Sequence, residues 1–352
     1  MPILLSIIFI IIIIIIVVFI GTDVKKRRQI QLLLKQVLVK EHIPEVIVEE
    51  ENDGVVKELQ PYHRETWIKQ NKHFFYIDIG DGCKLLVTIS KKTIDEHRKD
   101  IENIKKIVKA IIISLTKNLD VETKNVLVGN DAREDLGLQK GDYTLDIYNC
   151  DIYMRYKSEW GNSNYEYLSD INGWEFLEGE KTDDGRDFSS MTFGVGGTED
   201  VPRTSICIDD IICNGTNYLK ESILVHEFAH TILETAIIES HPEWYEEFLS
   251  ISELYNEIIE GWNTSEDPNN TVCPQSYTCD SRELFAIATQ TWFYVMARDD
   301  VNRYIMTIDE LKKIRRGTLS LYSFMKKVYG EPNNLCHEIK KYPKCKTKCK
   351  SL

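Results

Sequence analysis

The sequence predicts an α+β domain, in which a small mixed sheet packs beside one buried helix, preceded by a single N-terminal transmembrane helix. Three features support this fold class: an apolar run at the start of the chain, short β-rich segments bounded by glycine turns, and longer segments of helical periodicity. The chain has 352 residues, 43% of them hydrophobic, and is long enough to bury a substantial core.

Residues 1–22 form the predicted membrane segment. The run MPILLSIIFIIIIIIIVVFIG is long enough to cross a bilayer as one helix, and no small-x-small cleavage site follows it. We therefore expect a signal anchor, with a cleaved signal peptide as the alternative. Residues 23–72 begin with helical patterning and continue through Pro44 into an acidic loop, which predicts a juxtamembrane helical stalk.

Sequence features disagree about the side of the membrane on which the main body lies. The basic run Lys25–Arg28 favours a cytosolic body by the positive-inside rule. Nine cysteines, and Asn-x-Ser/Thr sequons that start at Asn214, Asn263 and Asn269, favour the extracellular or lumenal side. We expect a single-pass membrane protein whose main body is extracellular or lumenal, and the cytosolic orientation stays open.

Charge and cysteine spacing disfavour two kinds of site. A net charge of −13 is opposite to what phosphate neutralisation requires, so we expect no nucleic-acid partner. No C-x-x-C pair occurs, which disfavours a zinc knuckle. Cys207 with Cys213, or Cys273 with Cys279, are candidate disulfides in an oxidising compartment.

The main domain is expected over residues 73–335, followed by a basic, cysteine-containing tail at 336–352. HFFYIDIGDGCKLLVTIS, at 73–90, predicts two strands joined at the glycines, because aromatic and β-branched residues bracket that turn. The apolar stripe of residues 92–118 predicts an amphipathic helix. KNVLVGN, at 124–130, then predicts a buried strand.

Two segments precede the helical stretch that contains ILVHEFAH at 223–230, which we call the motif helix. Residues 131–200 are rich in Asp, Gly, Asn and Ser and predict irregular structure. The run from Arg203 to Ile208 predicts a short strand just before the motif helix. An edge strand that pairs with an extended peptide and a plain core strand both fit this run.

The stretch ILVHEFAH, at 223–230, lies within a helical pattern over residues 218–239. Its two histidines, His226 and His230, lie one turn apart on one face, where two imidazoles can bind one tetrahedral zinc ion. Glu227 can then accept a proton from the water that the metal activates. Two ordinary histidines on a buried helix are the alternative, but this combination of residues favours zinc.

A zinc site of this kind needs a third protein ligand. Leu233 and Ala236 stand where the metzincin extension requires glycine and histidine, which excludes that subclass. Glu234 lies a further turn along the same helix, and His241 precedes a proline in a turn. We interpret both as structural residues.

Glu283 is the better candidate for the third ligand. DSRELFAIATQTWF, at 280–293, has helical periodicity after a cap at Asp280 or Ser281, and its first turn would aim the Glu283 carboxylate at the site. The small Ala286 would let this helix approach the motif helix closely. An ordinary acidic residue also suits a first turn, because the macrodipole favours negative charge there. Periodicity alone leaves both interpretations open.

HEFAH, followed downstream by the pattern Y-x5-E-L-F-A…WF, resembles the gluzincin metallopeptidases of the Mlc-titration-factor and anthrax-lethal-factor type. GVGGTEDVPRTS, from Gly194, and KESILVHEFAH, from Lys220, are similar to segments of a family of secreted or membrane-anchored zincin-like proteins. The resemblance covers about residues 73–300 and is most specific at the motif helix.

The resemblance implies a function as well as a fold. It implies a zincin-like metallopeptidase domain over residues 73–335 that binds Zn²⁺ and hydrolyses a peptide or protein substrate. The alternative is a membrane-tethered binding or scaffold protein that keeps the fold and a structural zinc ion without activity. The implied zinc ligands are His226, His230 and Glu283, and the implied catalytic residues are Glu227, as general base, and Tyr277.

Two further positions bear on the implied activity. Tyr277 matches a tyrosine of the family pattern, whose phenol could donate a hydrogen bond to the oxyanion, although an ordinary half-buried tyrosine fits as well. Ile287 stands where relatives often carry a glutamate. This departure leaves the ligand set intact but removes a polar group beside it, which bears on how active the site is.

Overall fold

The computed structural model describes residues 73–129, 144–148, 179, 194–198, 201–212, 221–263, 280–296 and 307–335. All of them lie within the predicted main domain. The predicted anchor at 1–22, the stalk at 23–72 and the tail at 336–352 lie outside the described residues. Among the helices that the structure does describe, none has the length and apolar content needed to span a bilayer.

The first two strands form an antiparallel hairpin, as the sequence predicts. β1 spans His73–Gly80 and β2 spans Cys83–Ile89. The turn between them has positive φ at Gly80, Asp81 and Gly82, conformations that glycine and aspartate adopt more readily than most residues. β2 is buried over most of its length, which is typical of a strand whose sheet is covered on both faces.

The main sheet has five strands in the order β1-β2-β3-β5-β4. It is mixed: β2, β3 (Thr144–Tyr148) and β5 (Arg203–Cys207) run parallel, and β4 (Gly194–Val195) pairs antiparallel with β5. The expectation of irregular structure at 131–200 is wrong at β3 and β4. These strands are too short, at five and two residues, to produce a recognisable alternating pattern.

β5 is an interior strand, with β3 on one side and β4 on the other. All five of its residues are buried. The interpretation of the Arg203–Ile208 run as an edge strand is therefore wrong, and the plain core strand is what the structure shows. Within the described part of the sheet, the edge nearest the motif helix is β4.

The predicted helix at 92–118 is two helices, α1 (Lys91–Glu96) and α2 (Ile101–Thr116), because the chain leaves helical geometry between them. The predicted strand at 124–130 is wrong: α3 (Val121–Leu127) occupies most of it. Asp120 caps α3 by accepting the Thr123 N–H at 2.9 Å. This cap and the left-handed Gly129 outweigh the β-branched residues of the run.

The second half of the described chain is mainly helical. The predicted motif helix begins at Ile223, after an N-cap at Ser222, and the predicted helix at 280–293 is present at Ser281–Trp292, with Asp280 as its N-cap. The remaining elements are α4 (Ile208–Ile212), α5 (Ile223–Thr231), a π-helical segment (Ile232–Ile237), α6 (Ile238–Ser240), α7 (Pro242–Asn263), α8 (Ser281–Trp292), α9 (Ile308–Lys313), the strand pair β6 (Arg315–Arg316) and β7 (Leu319–Ser320), and α10 (Leu321–Tyr329).

α8 lies at the centre of the helical part of the core. Every residue from Leu284 to Trp292 is buried. The Phe285 ring contacts Phe248 of α7 at a centroid distance of 5.3 Å and Tyr329 of α10 at 6.0 Å. On its other side α8 packs against α5. A helix enclosed in this way holds its own residues at fixed positions relative to the motif helix.

The start of α5 is held by a carboxylate from α4. Asp210 is buried, and its two oxygens accept the N–H groups of Ile223 at 3.1 Å and Leu224 at 3.0 Å. The first N–H groups of a helix have no partner within the helix, so this contact satisfies two of them. A negative charge at this end also interacts favourably with the helix dipole and so stabilises the helix. Asp210 therefore fixes where the motif helix begins.

We expect Asp210→Ala to lower the free energy of unfolding by about 1–3 kcal/mol, because two buried N–H groups lose their acceptor. Asp309→Ala is the matched control. Asp309 pairs with Lys312 on the surface, and its removal should leave stability nearly unchanged. Denaturant unfolding of both variants checks this, and equal small losses would show that Asp210 does not hold the helix start.

Candidate metal centre

Three side chains converge between α5 and α8. The Nε2 atoms of His226 and His230 lie 3.2 Å apart. The Glu283 carboxylate places Oε2 at 3.1 Å from His226 Nε2 and Oε1 at 3.5 Å from His230 Nε2. Among the described histidines, cysteines and acidic residues, these three form the only group whose donor atoms all lie within 4.8 Å of one another. The structure thus brings together the three predicted ligands.

Two features of the fold produce this convergence. The i, i+4 spacing in α5 puts both imidazoles on the face that meets α8. Asp280 caps α8 by accepting the Arg282 N–H at 2.7 Å, so the helix begins at Ser281 and Glu283 lies in its first turn. Ala229 of α5 and Ala286 of α8 are fully buried, which agrees with the predicted close approach of the two helices.

The donor set suits a zinc ion. Two imidazole nitrogens and a carboxylate are the ligands that catalytic zinc sites combine, with one further position left to water or substrate. The Oε2 atom of Glu283 is buried and has no hydrogen-bond partner among the described residues, despite its short distance to His226. A buried carboxylate oxygen without a hydrogen bond is costly unless a cation compensates it. The residues present therefore fit Zn²⁺.

The electrostatics of the cluster favour positive charge between its members. Burial disfavours a charged His226, but the carboxylates of Glu283, Glu227 and Glu221 outweigh burial and raise the pKa of His226. Burial likewise opposes ionisation of Glu283, but the two histidines outweigh it and hold the pKa of that carboxyl low. A proton and a metal ion would compete for the same nitrogen atoms.

The side chain of Glu227 extends from the motif helix toward β4, at the edge of the sheet. Burial raises the pKa of its carboxyl, and the nearby imidazoles of His226 and His230 oppose that rise without cancelling it. The N–H of Gly196 hydrogen-bonds its carboxylate. The carboxylate of Glu227 thus interacts with both histidines but is not one of the converging donor groups.

The glycine-rich segment beside β4 packs directly on the motif helix. A Cβ atom on Gly196 would lie 2.4 Å from His230 Cβ and 2.6 Å from the Glu227 carbonyl oxygen. A Cβ atom on Gly194 would lie 2.8 Å from Glu227 Cγ. All three distances are too short for real contacts, so a larger residue at Gly196 would have to move the helix and one at Gly194 would have to displace the Glu227 side chain.

Thr231 links this segment to the motif helix, and sequence reasoning missed it. Its hydroxyl accepts the Gly197 N–H at 2.7 Å and lies 2.5 Å from the Thr204 hydroxyl of β5. A threonine directly after the second histidine, followed by the apolar pair Ile232 and Leu233, was the available signal. Thr231 therefore joins α5, the glycine segment and β5 at one point.

The helix changes to π geometry immediately after Thr231. Such segments widen the helical turn and occur often near functional sites. Glu234 lies here, with its side chain 15% exposed and Oε1 at 3.7 Å from Arg282 Nε of α8. It does not belong to the converging group, which agrees with its predicted structural role.

The other residues named by the sequence analysis fall outside the cluster. His241 lies 2.9 Å from Asp120 Oδ2 and stacks on Trp244 at a centroid distance of 4.2 Å, so its role is structural, as predicted. Ile287 is buried in α8. Tyr277 lies outside the described residues.

No protein-family model matches this chain, and no curated protein and no solved structure is significantly similar to it. The zincin-like fold, the zinc ligands and the general base therefore stay predictions, which rest on the motif and on the geometry of this site.

We expect the purified protein to bind one zinc ion per chain, and Glu283→Gln to weaken zinc binding by more than about 100-fold, because the amide lacks the charge of a first-sphere carboxylate. Glu234→Gln is the matched control, since that carboxylate lies outside the cluster and should leave the affinity unchanged. Competition titration against a zinc chelator measures both. Equal affinities for the two variants would exclude Glu283 as a ligand.

Proposed function

We propose that this chain is a zinc-dependent metalloendopeptidase of the gluzincin type, which hydrolyses peptide bonds with Glu227 as general base. The observation that carries the proposal is the convergence of His226, His230 and Glu283 next to Glu227. Two helices distant in sequence supply these side chains, and the ordinary alternatives for each residue do not account for their meeting. The family resemblance of the motifs points to the same chemistry.

When bound, zinc would polarise the scissile carbonyl and make water more acidic. Glu227 would accept the proton of the attacking water and deliver it to the leaving amine. The Gly196 N–H contact and the adjacent edge strand would hold its carboxylate in place during both transfers. For Tyr277 we retain the proposed role of hydrogen-bond donor to the oxyanion.

We propose that β4 binds an extended substrate peptide. It replaces the run Arg203–Ile208, which lies inside the sheet as β5. In the described part of the sheet β4 pairs with β5 alone, and its Gly194 lies against Glu227. An extended peptide that added to this edge would run along the motif helix beside the converging side chains. Main-chain pairing of this kind would bind peptides with little dependence on sequence.

We propose that residues 1–22 anchor the protein in a membrane by a single span, with the catalytic domain on the extracellular or lumenal side. Cys207 is disulfide-bonded, and disulfides persist in oxidising compartments. The sequons at Asn214, Asn263 and Asn269 are compatible with glycosylation on that side. The basic run Lys25–Arg28 keeps a cytosolic orientation as the alternative.

We expect Glu227→Gln to keep its zinc and to lose peptide cleavage by about 10²–10⁴-fold, because the amide cannot accept a proton. Glu234→Gln is the control and should retain the wild-type rate. The rates are measured on a mixed peptide library by mass spectrometry, with zinc content determined in parallel. If zinc stays bound and both forms of residue 227 give the same signal, the protein is a zinc-containing binding or scaffold protein.

A further inference from the structure

We propose that Gln290 is a positioning residue that holds His226 in the tautomer whose Nε2 binds the metal. Gln290 is fully buried in α8, and its Oε1 lies 3.2 Å from His226 Nδ1. It does not touch the reacting atoms, and it acts through the imidazole. This inference rests on the proposed zinc site and names the group that prepares one of its ligands.

The contacts of the Gln290 amide fix its orientation. Its nitrogen lies 3.0 Å from the Ser222 carbonyl oxygen and 3.3 Å from Glu221 Oε2. Both of these partners are hydrogen-bond acceptors, so the NH₂ group must face them. A flipped amide would place its oxygen against two other oxygens. The carbonyl oxygen of Gln290 must therefore face His226.

This orientation determines where a neutral His226 carries its proton. An amide oxygen only accepts hydrogen bonds, so His226 Nδ1 must be the donor and must bear hydrogen. Neutral imidazole carries one ring proton, and its Nε2 therefore presents a lone pair. That lone pair points toward His230 and Glu283, which is the direction of the proposed metal.

The surroundings explain why an amide occupies this position. Metal-bound histidines usually donate their second N–H to a carboxylate or a carbonyl oxygen. Here the far side of residue 290 faces the buried Glu221, 5% exposed, and the Ser222 carbonyl. A carboxylate at 290 would face a second carboxylate at close range. Glutamine accepts on one edge and donates on the other, and so satisfies both sides.

α8 thereby supplies two parts of the site from one face. Gln290 lies two turns after Glu283, so the two residues share a helix face. Ile287, one turn after Glu283, has no polar atom in its side chain, so the contact with His226 from this face is made by Gln290. The register of α8 therefore sets the third ligand and the tautomer of the first ligand together.

The test uses four variants of the full chain and measures zinc affinity by chelator competition. Gln290→Leu removes the acceptor and should weaken binding by about 10–100-fold. Gln290→Glu should also weaken it, because the new carboxylate faces Glu221. The double variant Glu221→Gln/Gln290→Glu restores an amide–carboxylate pair, and should recover most of the lost affinity. Thr289→Val removes a neighbouring buried hydroxyl that bonds to Phe285 and Tyr329, and should not change the affinity.

A measurement on the wild-type protein does not depend on how the variants fold. In the zinc-loaded protein, ¹H–¹⁵N NMR should show that the proton on His226 Nδ1 exchanges slowly with water, because Gln290 Oε1 accepts it. Fast exchange of that Nδ1 proton with water, or an affinity of Gln290→Leu within about threefold of wild type, would overturn the role of Gln290 while leaving the zinc site in place. Failure of the wild-type protein to bind zinc would overturn the zinc site and this inference with it.

Discussion

The packing of α5 against α8 is the constraint on which the whole site depends. α5 carries His226 and His230, whereas α8 carries Glu283 and Gln290, so a shift of either helix would separate the ligands and the groups that orient them. The fold restrains both helices. α8 is enclosed by aromatic residues of α7 and α10, and α5 is capped by Asp210 at its start. The close packing of the core thus keeps the side chains of the site at fixed positions.

The same packing creates an electrostatic problem that the site must resolve. Glu221 is buried, and Glu227 and Glu283 are half-buried, around the two imidazoles. Buried charges of one sign destabilise a fold unless they are compensated. The amide of Gln290 and the N–H of Gly196 compensate part of this charge through hydrogen bonds. A divalent cation between the histidines would compensate the rest, which connects the stability of the domain to its proposed chemistry.

The sequence predicted those parts of the fold and the site that are encoded locally. The β1–β2 hairpin, the caps and periodicity of α5 and α8, and the positions of His226, His230 and Glu283 all follow from short-range patterns. Other parts depend on contacts between distant segments. β4 is recognisable only through its pairing with β5, and Gln290 only through its contact with His226 across 64 residues. The apolar run within α3 predicts a strand, whereas the aspartate cap before it favours the helix that forms.

The central claim is that one zinc ion is held by two imidazoles and one carboxylate. Zinc X-ray absorption spectroscopy on the purified full chain tests it most directly, because it reports the ligand atoms themselves. The claim predicts a first shell of nitrogen and oxygen at about 2.0–2.1 Å, with the outer-shell scattering of two imidazole rings. A first shell that contains sulfur at about 2.3 Å, or that lacks imidazole scattering, would contradict it.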